Sequence, residues 1–431
     1  MYSKRIQETL KRKGISLGDR VRVKKGKEVW EGILLPRPEG NPNYLVLKLD
    51  SGYNVGIKFE NAEITLLSKR KKTKTKMKVP YNPDLPTVAL IHTGGTIASK
   101  VDYETGGVSA SFTDEDLLLA VPEIFNEVNV KSKLLFNIMS EDMNYKHWQK
   151  IAKEAVKQLD NYGVVIAHGT DTMHYTSAAL SFMIRDLGKP VVLVGAQRSS
   201  DRPSSDAFMN LINAFRAAKL DMSGVYVNMH DTISDESTAL IRGTRARKMH
   251  TSRRDAFKPI NDDYVVRISW DGKVTMLTNV QRRKDTQPYA DTKFEPKTAL
   301  IKLHPNFNPE LLDFLIDKGY KGIILEGTGL GHAPVSEKGY SILPQLKRAM
   351  DEEIFIGMTS QCIFGRVHPN VYANLRKLSM AGVVYLEDMI SETAFVKLGW
   401  LLGHDLAGEE LTEKMLENMA GELSKRSVFY A

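Results

Sequence analysis

Two textures of hydrophobic patterning divide this chain. Between residues 15 and 67 the apolar positions fall in five short runs: Arg20 to Val23, Trp30 to Leu35, Tyr44 to Leu49, Val55 to Phe59 and Ala62 to Leu67. Turn-formers such as Pro38-Glu39-Gly40-Asn41-Pro42 and Asp50-Ser51-Gly52 separate them, which predicts short strands in a small domain and fits an SH3-like β-barrel. From Thr87 onward the runs become apolar throughout, as in Val88-Ala89-Leu90-Ile91 and Val164-Val165-Ile166-Ala167. Such runs read as strands buried on both faces of a parallel sheet. They alternate with helical stretches, which signals βαβ units and an α/β architecture.

Further strands are predicted at Leu134–Ile138, Val191–Val194 and Val225–Asn228. A helix is predicted over Asp206–Leu220, and another opens at Thr113-Asp114-Glu115-Asp116, which resembles a capping box. Polar residues and prolines near Gln281–Pro288 end this unit. A smaller α/β unit follows, with strands at Ala299–Leu303, Gly322–Leu325, Ile354–Gly357 and Val383–Tyr385. The expected organisation is a small β-barrel over 1–68, a basic, proline-containing linker over 69–86, a larger α/β domain over 87–280, a linker over 281–297 and a smaller α/β domain over 298–431, both with parallel sheets.

At 431 residues the chain is too long for one ordinary core. With 42% hydrophobic and 26% charged residues, neither disorder nor collagen-like structure is indicated. No apolar run approaches the ~18 residues of a membrane span, and the charged start Met1–Glu8 lacks a secretory signal. A cytoplasmic protein is expected. The single cysteine, Cys362, excludes an intrachain disulfide and a thiolate zinc cage, and the ten histidines show no i, i+4 pairing, so no metal is implied. Of the net charge of +8, seven positives lie between Lys69 and Lys78, leaving about +1 for the rest. A surface that reads nucleic acid over one whole face is not what this distribution describes.

Candidate chemistry lies where the apolar strands end. Thr93-Gly94-Gly95-Thr96 follows one and His168-Gly169-Thr170-Asp171-Thr172-Met173 follows another, and open parallel sheets bind ligands beyond the carboxyl ends of their strands. The first segment lacks the lysine of a phosphate loop and the third glycine of a dinucleotide fingerprint; alone it is a glycine turn. The second offers a hydroxyl beside a carboxylate that suits an ammonium, or else an ordinary helix N-cap. A threonine hydroxyl needs a base to become a nucleophile. Lys248, in Arg245-Ala246-Arg247-Lys248, is the candidate, since a desolvated lysine can act as one; the competing reading is a solvated charge. Ser140, closing the Leu134–Ile138 strand, offers a third hydroxyl or a simple N-cap.

Thr-Gly-Gly-Thr-Ile-Ala at 93–98 and His-Gly-Thr-Asp-Thr-Met at 168–173 resemble the two signature motifs of the bacterial-type L-asparaginase and glutaminase family, over about Thr87 to His404. The resemblance implies a two-domain asparaginase-like α/β fold. It implies Thr96 as the nucleophile that forms an acyl-enzyme, Thr170, Asp171 and Lys248 as a second catalytic group in which Asp171 binds the substrate α-ammonium, and Ser140, with Glu141 beside it, on the α-carboxylate. Backbone N–H groups of the Gly95 and Gly169 turns would stabilise the oxyanion. The family also places a tyrosine in the loop after the first motif, for which Tyr103 is the nearby candidate.

Free asparaginases of this family usually begin near the first motif. The added barrel and basic tether look like the archaeal tRNA-dependent amidotransferase branch, in which such a chain supplies ammonia to a partner subunit. That resemblance implies a heterotetramer with two copies of this chain and two of its partner, with Glu-tRNA(Gln) held mainly by the partner, ATP and magnesium used by the partner and no cofactor in this chain. The alternatives are a stand-alone L-asparaginase with an accessory domain and, more remotely, a non-catalytic nucleic-acid-binding adaptor.

Overall fold

The computed structural model describes residues 2–35, 41–49, 54–69, 80–94, 99–101, 108–110, 122–198 and 205–426. Most of the basic tract, the Thr113 capping box and the turn-formers at 38–40 and 50–52 lie outside these residues.

The chain opens with a helix that the charged amino terminus did not suggest, α1 (Lys4–Arg12), whose buried Ile6 and Leu10 lie four residues apart on one face. Five strands follow: β1 (Arg20–Lys25), β2 (Glu28–Leu34), β3 (Tyr44–Leu49), β4 (Asn54–Lys58) and β5 (Glu63–Ser68). They pair antiparallel in the order β4-β3-β2-β1-β5, and Val21, Val23, Leu34, Leu45, Leu47 and Ile64 form a core with the helix. All five predicted runs are strands. Among the described residues no ladder joins β4 to β5, so what is established is a small antiparallel sheet domain.

The larger α/β domain contains β6 (Thr87–His92), the short pair β7 (Ser99–Val101) and β8 (Val108–Ala110), β9 (Asn129–Leu134), α2 (Tyr145–Gln158), β10 (Gly163–Ala167), α3 (Met173–Met183), β11 (Ile184–Arg185), β12 (Pro190–Val194), α4 (Ala207–Ala218) and β13 (Gly224–His230). It ends with β14 (Ser237–Arg242), β15 (Ala246–Lys248), β16 (Phe257–Pro259), β17 (Val266–Ser269) and β18 (Val274–Met276). Eight strands form one sheet in the order β18-β17-β14-β13-β12-β10-β6-β9. The run from β9 to β13 is parallel, and the pairs from β13 to β18 are antiparallel. The sheet is therefore mixed where a parallel one was expected. The six residues between β13 and β14 allow a direct reversal but not the dozen or more of a crossover.

In the parallel half, alternate residues serve opposite faces. Ala89, Ile91, Val164, Ile166, Val191 and Leu193 enter the core shared with the second domain, while Val88, Leu90, Val165, Val192 and Val194 enter the core under α4. The third expected strand is displaced: β9 occupies the more polar Asn129–Leu134, and Leu135–Ile138 runs past the end of β6, Leu135 N–H and Phe136 N–H bonding His92 O and Ile138 N–H bonding Thr93 O. An edge strand exposes one flank, so its polar alternation hid it while the more apolar continuation drew the assignment.

The connecting segment carries β19 (Tyr289–Ala290), and the smaller domain contains β20 (Thr298–Lys302), α5 (Glu310–Asp317), β21 (Gly322–Gly327), α6 (Leu343–Asp351), β22 (Phe355–Ser360), α7 (Ala373–Met380), β23 (Val384–Tyr385), α8 (Ser391–Leu402) and α9 (Gly408–Leu416). Its four-stranded sheet, β20-β21-β22-β23, is parallel throughout. Helices α3 and α8 pack between the two sheets and are buried nearly all round; Phe182 stacks on Trp400 with ring centroids 6.0 Å apart. The segment 281–297 is pinned along the larger domain, with Lys284 N–H on Gly188 O and β19 paired with β11.

Lys397, in the middle of α8, and Glu422, beyond α9, form a fully buried ion pair at 2.6 Å. Lys397 also donates to Met415 O and Glu417 O, and Glu422 accepts from Met419 N–H and Ala420 N–H. Together they tie down the C-terminal segment. Removing one partner leaves an uncompensated buried charge, so Lys397→Met or Glu422→Gln is expected to cost about 3–5 kcal/mol, and the double change Lys397→Met/Glu422→Leu to recover most of it. Denaturant unfolding of the full chain checks this: equal midpoints for parent and single variants would contradict it.

Candidate active site

The strand order β9-β6-β10-β12-β13, numbered by sequence, is 2-1-3-4-5, which reverses direction between β6 and β10. Crevices at such a switch point receive ligands at the carboxyl ends of the strands. There Thr93 bonds Ala167 O twice, through its N–H at 3.1 Å and its hydroxyl at 2.9 Å, fastening the ends of β6 and β10 together. Gly94 follows with φ of +109°, and a Cβ on it would lie 2.2 Å from Ile138 O, so only glycine fits this approach.

Ser140 begins a 3₁₀ turn over Ser140–Asp142 that sets it against the end of β10. It is buried. Its Oγ accepts from Asp171 N–H at 3.2 Å and its carbonyl accepts from the Thr172 hydroxyl at 2.6 Å. The contact is close enough that a Cβ on Gly169 would lie 2.8 Å from Ser140 Cβ and Oγ. Glu141 is exposed on the same turn.

Lys248 arrives from β15, which pairs with β16 so that Lys248 lies opposite the buried Phe257. Its Nζ donates to Thr170 Oγ1 at 2.8 Å and to Asp171 Oδ1 at 2.6 Å. The Lys248 side chain is 11% exposed and that of Asp171 64%. The ammonium thus sits in a largely dry position while the carboxylate faces outward. Thr170, Asp171, Lys248, Ser140 and Gly169, named from the sequence, come together here. Thr96, Gly95 and Tyr103 lie outside the described residues.

Several neighbours carried no readable signal. Arg247 forms an ion pair with Glu392 at the start of α8, 3.1 Å apart. Burial raises the Glu392 carboxyl, with Arg247 opposing the shift, and Tyr175 beside them is pushed up to about 12 by burial and by Glu392. Arg245 is buried and paired with Asp388 at 3.2 Å. The basic run therefore meets partners more than 140 residues away, which no local pattern could announce. Three buried histidines surround the crevice: burial lowers His92 and His168 to about 4, and burial with Arg247 and Lys248 nearby lowers His174 to about 3.

Comparison with known proteins finds family matches along most of the chain. Residues 87–282 match the family described as Asparaginase, N-terminal, residues 297–415 the Glutaminase/Asparaginase C-terminal domain, and residues 15–67 the GatD N-terminal domain. The chain is similar to the D-subunit of the glutamyl-tRNA(Gln) amidotransferase of Pyrococcus furiosus, with 54% identity over 97% of this chain and 98% of that protein. The same-named protein of Sulfolobus acidocaldarius is 45% identical over 98% and 95% of the two chains. Among solved structures, the thermostable L-asparaginase from Thermococcus kodakarensis superposes with a TM-score of 0.71 at 33% identity, covering 79% of this chain and 100% of that one.

The three histidines predict acid sensitivity. Each has a folded pKa below its unfolded value near 6.5, so between pH 6.5 and about 4 the unfolded chain binds more protons and stability falls as pH falls. At ~1.4 kcal/mol per unit of difference, each withholds on the order of 1–2 kcal/mol by pH 5. Thermal melting followed by circular dichroism is expected to show a lower Tm at pH 5 than at pH 7; equal values would contradict buried neutral rings.

Proposed function

The chain belongs to the D-subunit family of glutamyl-tRNA(Gln) amidotransferases, the asparaginase-type component that hydrolyses glutamine, and from that premise we propose that it releases ammonia from a side-chain amide of glutamine or asparagine through a threonine ester and passes it to a partner subunit. The observation that carries the mechanism is Lys248 Nζ bridging Thr170 Oγ1 and Asp171 Oδ1 at the strand switch.

In this reading Thr96 attacks the amide carbon through its hydroxyl oxygen, its proton passes through a base to the departing nitrogen, and the C–N bond breaks to free ammonia. Water then adds to the ester, with Lys248 polarising Thr170, and releases the carboxylate and the threonine. The Asp171 carboxylate keeps Oδ2 for the substrate α-ammonium. Ser140 Oγ accepts from Asp171, so its own proton is available to the α-carboxylate, with Glu141 at the rim. N–H groups at Gly95 and Gly169 serve the oxyanion, and Tyr103 is the candidate for the tyrosine the family places after the first motif.

The ammonia goes to the E-type partner of the amidotransferase, in a heterotetramer of two D and two E subunits. That partner holds Glu-tRNA(Gln) and uses ATP and magnesium to phosphorylate the glutamate, whose phosphate ammonia displaces. The N-terminal sheet, closed as an SH3-like barrel, and the basic tether tie the hydrolase to this assembly. Because the acceptor is an aminoacylated tRNA, the reaction belongs in the cytoplasm.

Ammonia release from asparagine and glutamine, by the full chain alone and with the E-type partner and Glu-tRNA(Gln), tests this. The complex with tRNA is expected to turn over faster than the chain alone, and Thr96→Ala, Thr170→Val and Lys248→Met to lower kcat by roughly 10²–10⁴-fold. Vigorous turnover indifferent to partner and tRNA would instead identify a stand-alone L-asparaginase, the reading that the likeness to the Thermococcus kodakarensis enzyme favours. Full function in Thr96→Ala would leave only a non-catalytic adaptor.

A further inference from the structure

His168 opens the second motif but has no part in the chemistry above. It is wholly buried at the end of β10, with its N–H on Val194 O at 2.9 Å. Both ring nitrogens are engaged. Nδ1 lies 2.6 Å from the Gly169 carbonyl oxygen and Nε2 lies 2.9 Å from Thr176 Oγ1. Thr176 Oγ1 in turn accepts from the indole N–H of Trp148 at 3.1 Å.

The direction of each bond follows from what each group can do. A carbonyl oxygen only accepts, so Nδ1 carries the ring proton. An indole N–H only donates, so it occupies a lone pair of the Thr176 oxygen. In a neutral ring that carries its proton on Nδ1, Nε2 is bare and receives the single Thr176 proton. The chain runs one way, from Trp148 on α2 to Thr176 on α3, to His168, to Gly169. Reversing the ring tautomer would leave the Gly169 carbonyl facing a lone pair, and a buried polar group left unmatched is costly. Burial, which holds the ring well below its usual pKa, favours the same neutral form.

The Gly169 carbonyl belongs to the peptide that begins Thr170. Anchoring it fixes the plane from which the Thr170 Cα–Cβ bond departs, and a β-branched side chain leaves few rotamers beyond that point. We propose that His168, locked as the neutral Nδ1–H tautomer by Thr176 and Trp148, is a positioning residue that sets the Gly169–Thr170 peptide and thereby aims the Thr170 hydroxyl at Lys248 and the Asp171 carboxylate at the substrate. The effect on turnover rests on the reading of Thr170 as a catalytic group; the tautomer does not.

The test uses the full chain, with its partner where turnover requires it. In ¹⁵N-labelled protein the His168 ring is expected to show a protonated Nδ1 and a bare Nε2, unchanged from pH 7 to pH 5. A protonated Nε2, or a titration midpoint near 6.5, overturns the assignment. Thr176→Ser keeps the hydroxyl and is expected to retain the tautomer and kcat within about twofold. Thr176→Val removes it and is expected to lose at least about tenfold in kcat, a barrier change of about 1.4 kcal/mol, with the ring signals shifted. Equal kcat in the serine and valine variants overturns the positioning role. Should the valine variant not fold, Trp148→Phe removes the indole donor alone and is expected to lower kcat in the same direction; unchanged kcat overturns the relay. Parent-level turnover in Thr170→Ala would sink the catalytic reading instead, whereas an inactive Thr170→Ala beside a fully active Thr176→Val sinks only the positioning role.

Discussion

Lys248 must reach Thr170 from 78 residues further along the chain, and everything around β15 serves that delivery. A three-residue strand has too few ladder bonds to fix itself. The fixing is done three and four positions before the lysine, at Arg245 and Thr244. Arg245 Nε donates to Gly421 O, Nη1 to Asp388 and Nη2 to Ser424 Oγ, while the Thr244 hydroxyl donates to Ala420 O. Taking a guanidinium and a carboxylate out of water costs several kcal/mol unless every donor finds an acceptor. Here Ala420, Gly421 and Ser424 come from the C-terminal segment that the Lys397–Glu422 pair holds in place, and Asp388 from the turn before α8. The second domain thus fixes the lysine of the first.

The hydroxyls depend on a different constraint. Parallel strands in register end at one edge, so Thr93 leaves β6 beside the end of β10, bonded to Ala167, and Thr170 follows three residues beyond it. Filling both faces of those strands with aliphatic side chains holds that edge rigid, since a close-packed core resists small displacements. Helix α3 begins within the second motif and is buried between the two sheets. The motif therefore has a fixed strand before it and a fixed helix after it.

The electrostatics of the crevice are set by contrast. Cations at Lys248 and Arg247 face carboxylates at Asp171 and Glu392, while the histidines in contact with the site are held neutral by burial. Imidazoles then act as directional hydrogen-bonding groups and not as charges, and the field at the crevice is left to the lysine and the exposed carboxylate.

Lys248 and Ser140 were candidates whose readings as a solvated charge and an N-cap stayed open, whereas reading the residues in order was enough to find the two strand-end motifs with Thr170 and Asp171, the five small-domain strands and the four strands of the second sheet. These are legible because each rests on local order: continuous apolar runs, turn residues and motif spacing act over a few positions. The folded molecule was needed to see that α1 packs on the first sheet, that the large sheet turns antiparallel after β13 and that β9 sits at Asn129–Leu134. It was needed again to see that Arg245 is buried and not solvated, that Arg247 pairs with Glu392 and that His168 is wired to Trp148. In each of those cases the deciding partner comes from a distant part of the chain, and whether a charge is dry or wet depends on what folds over it.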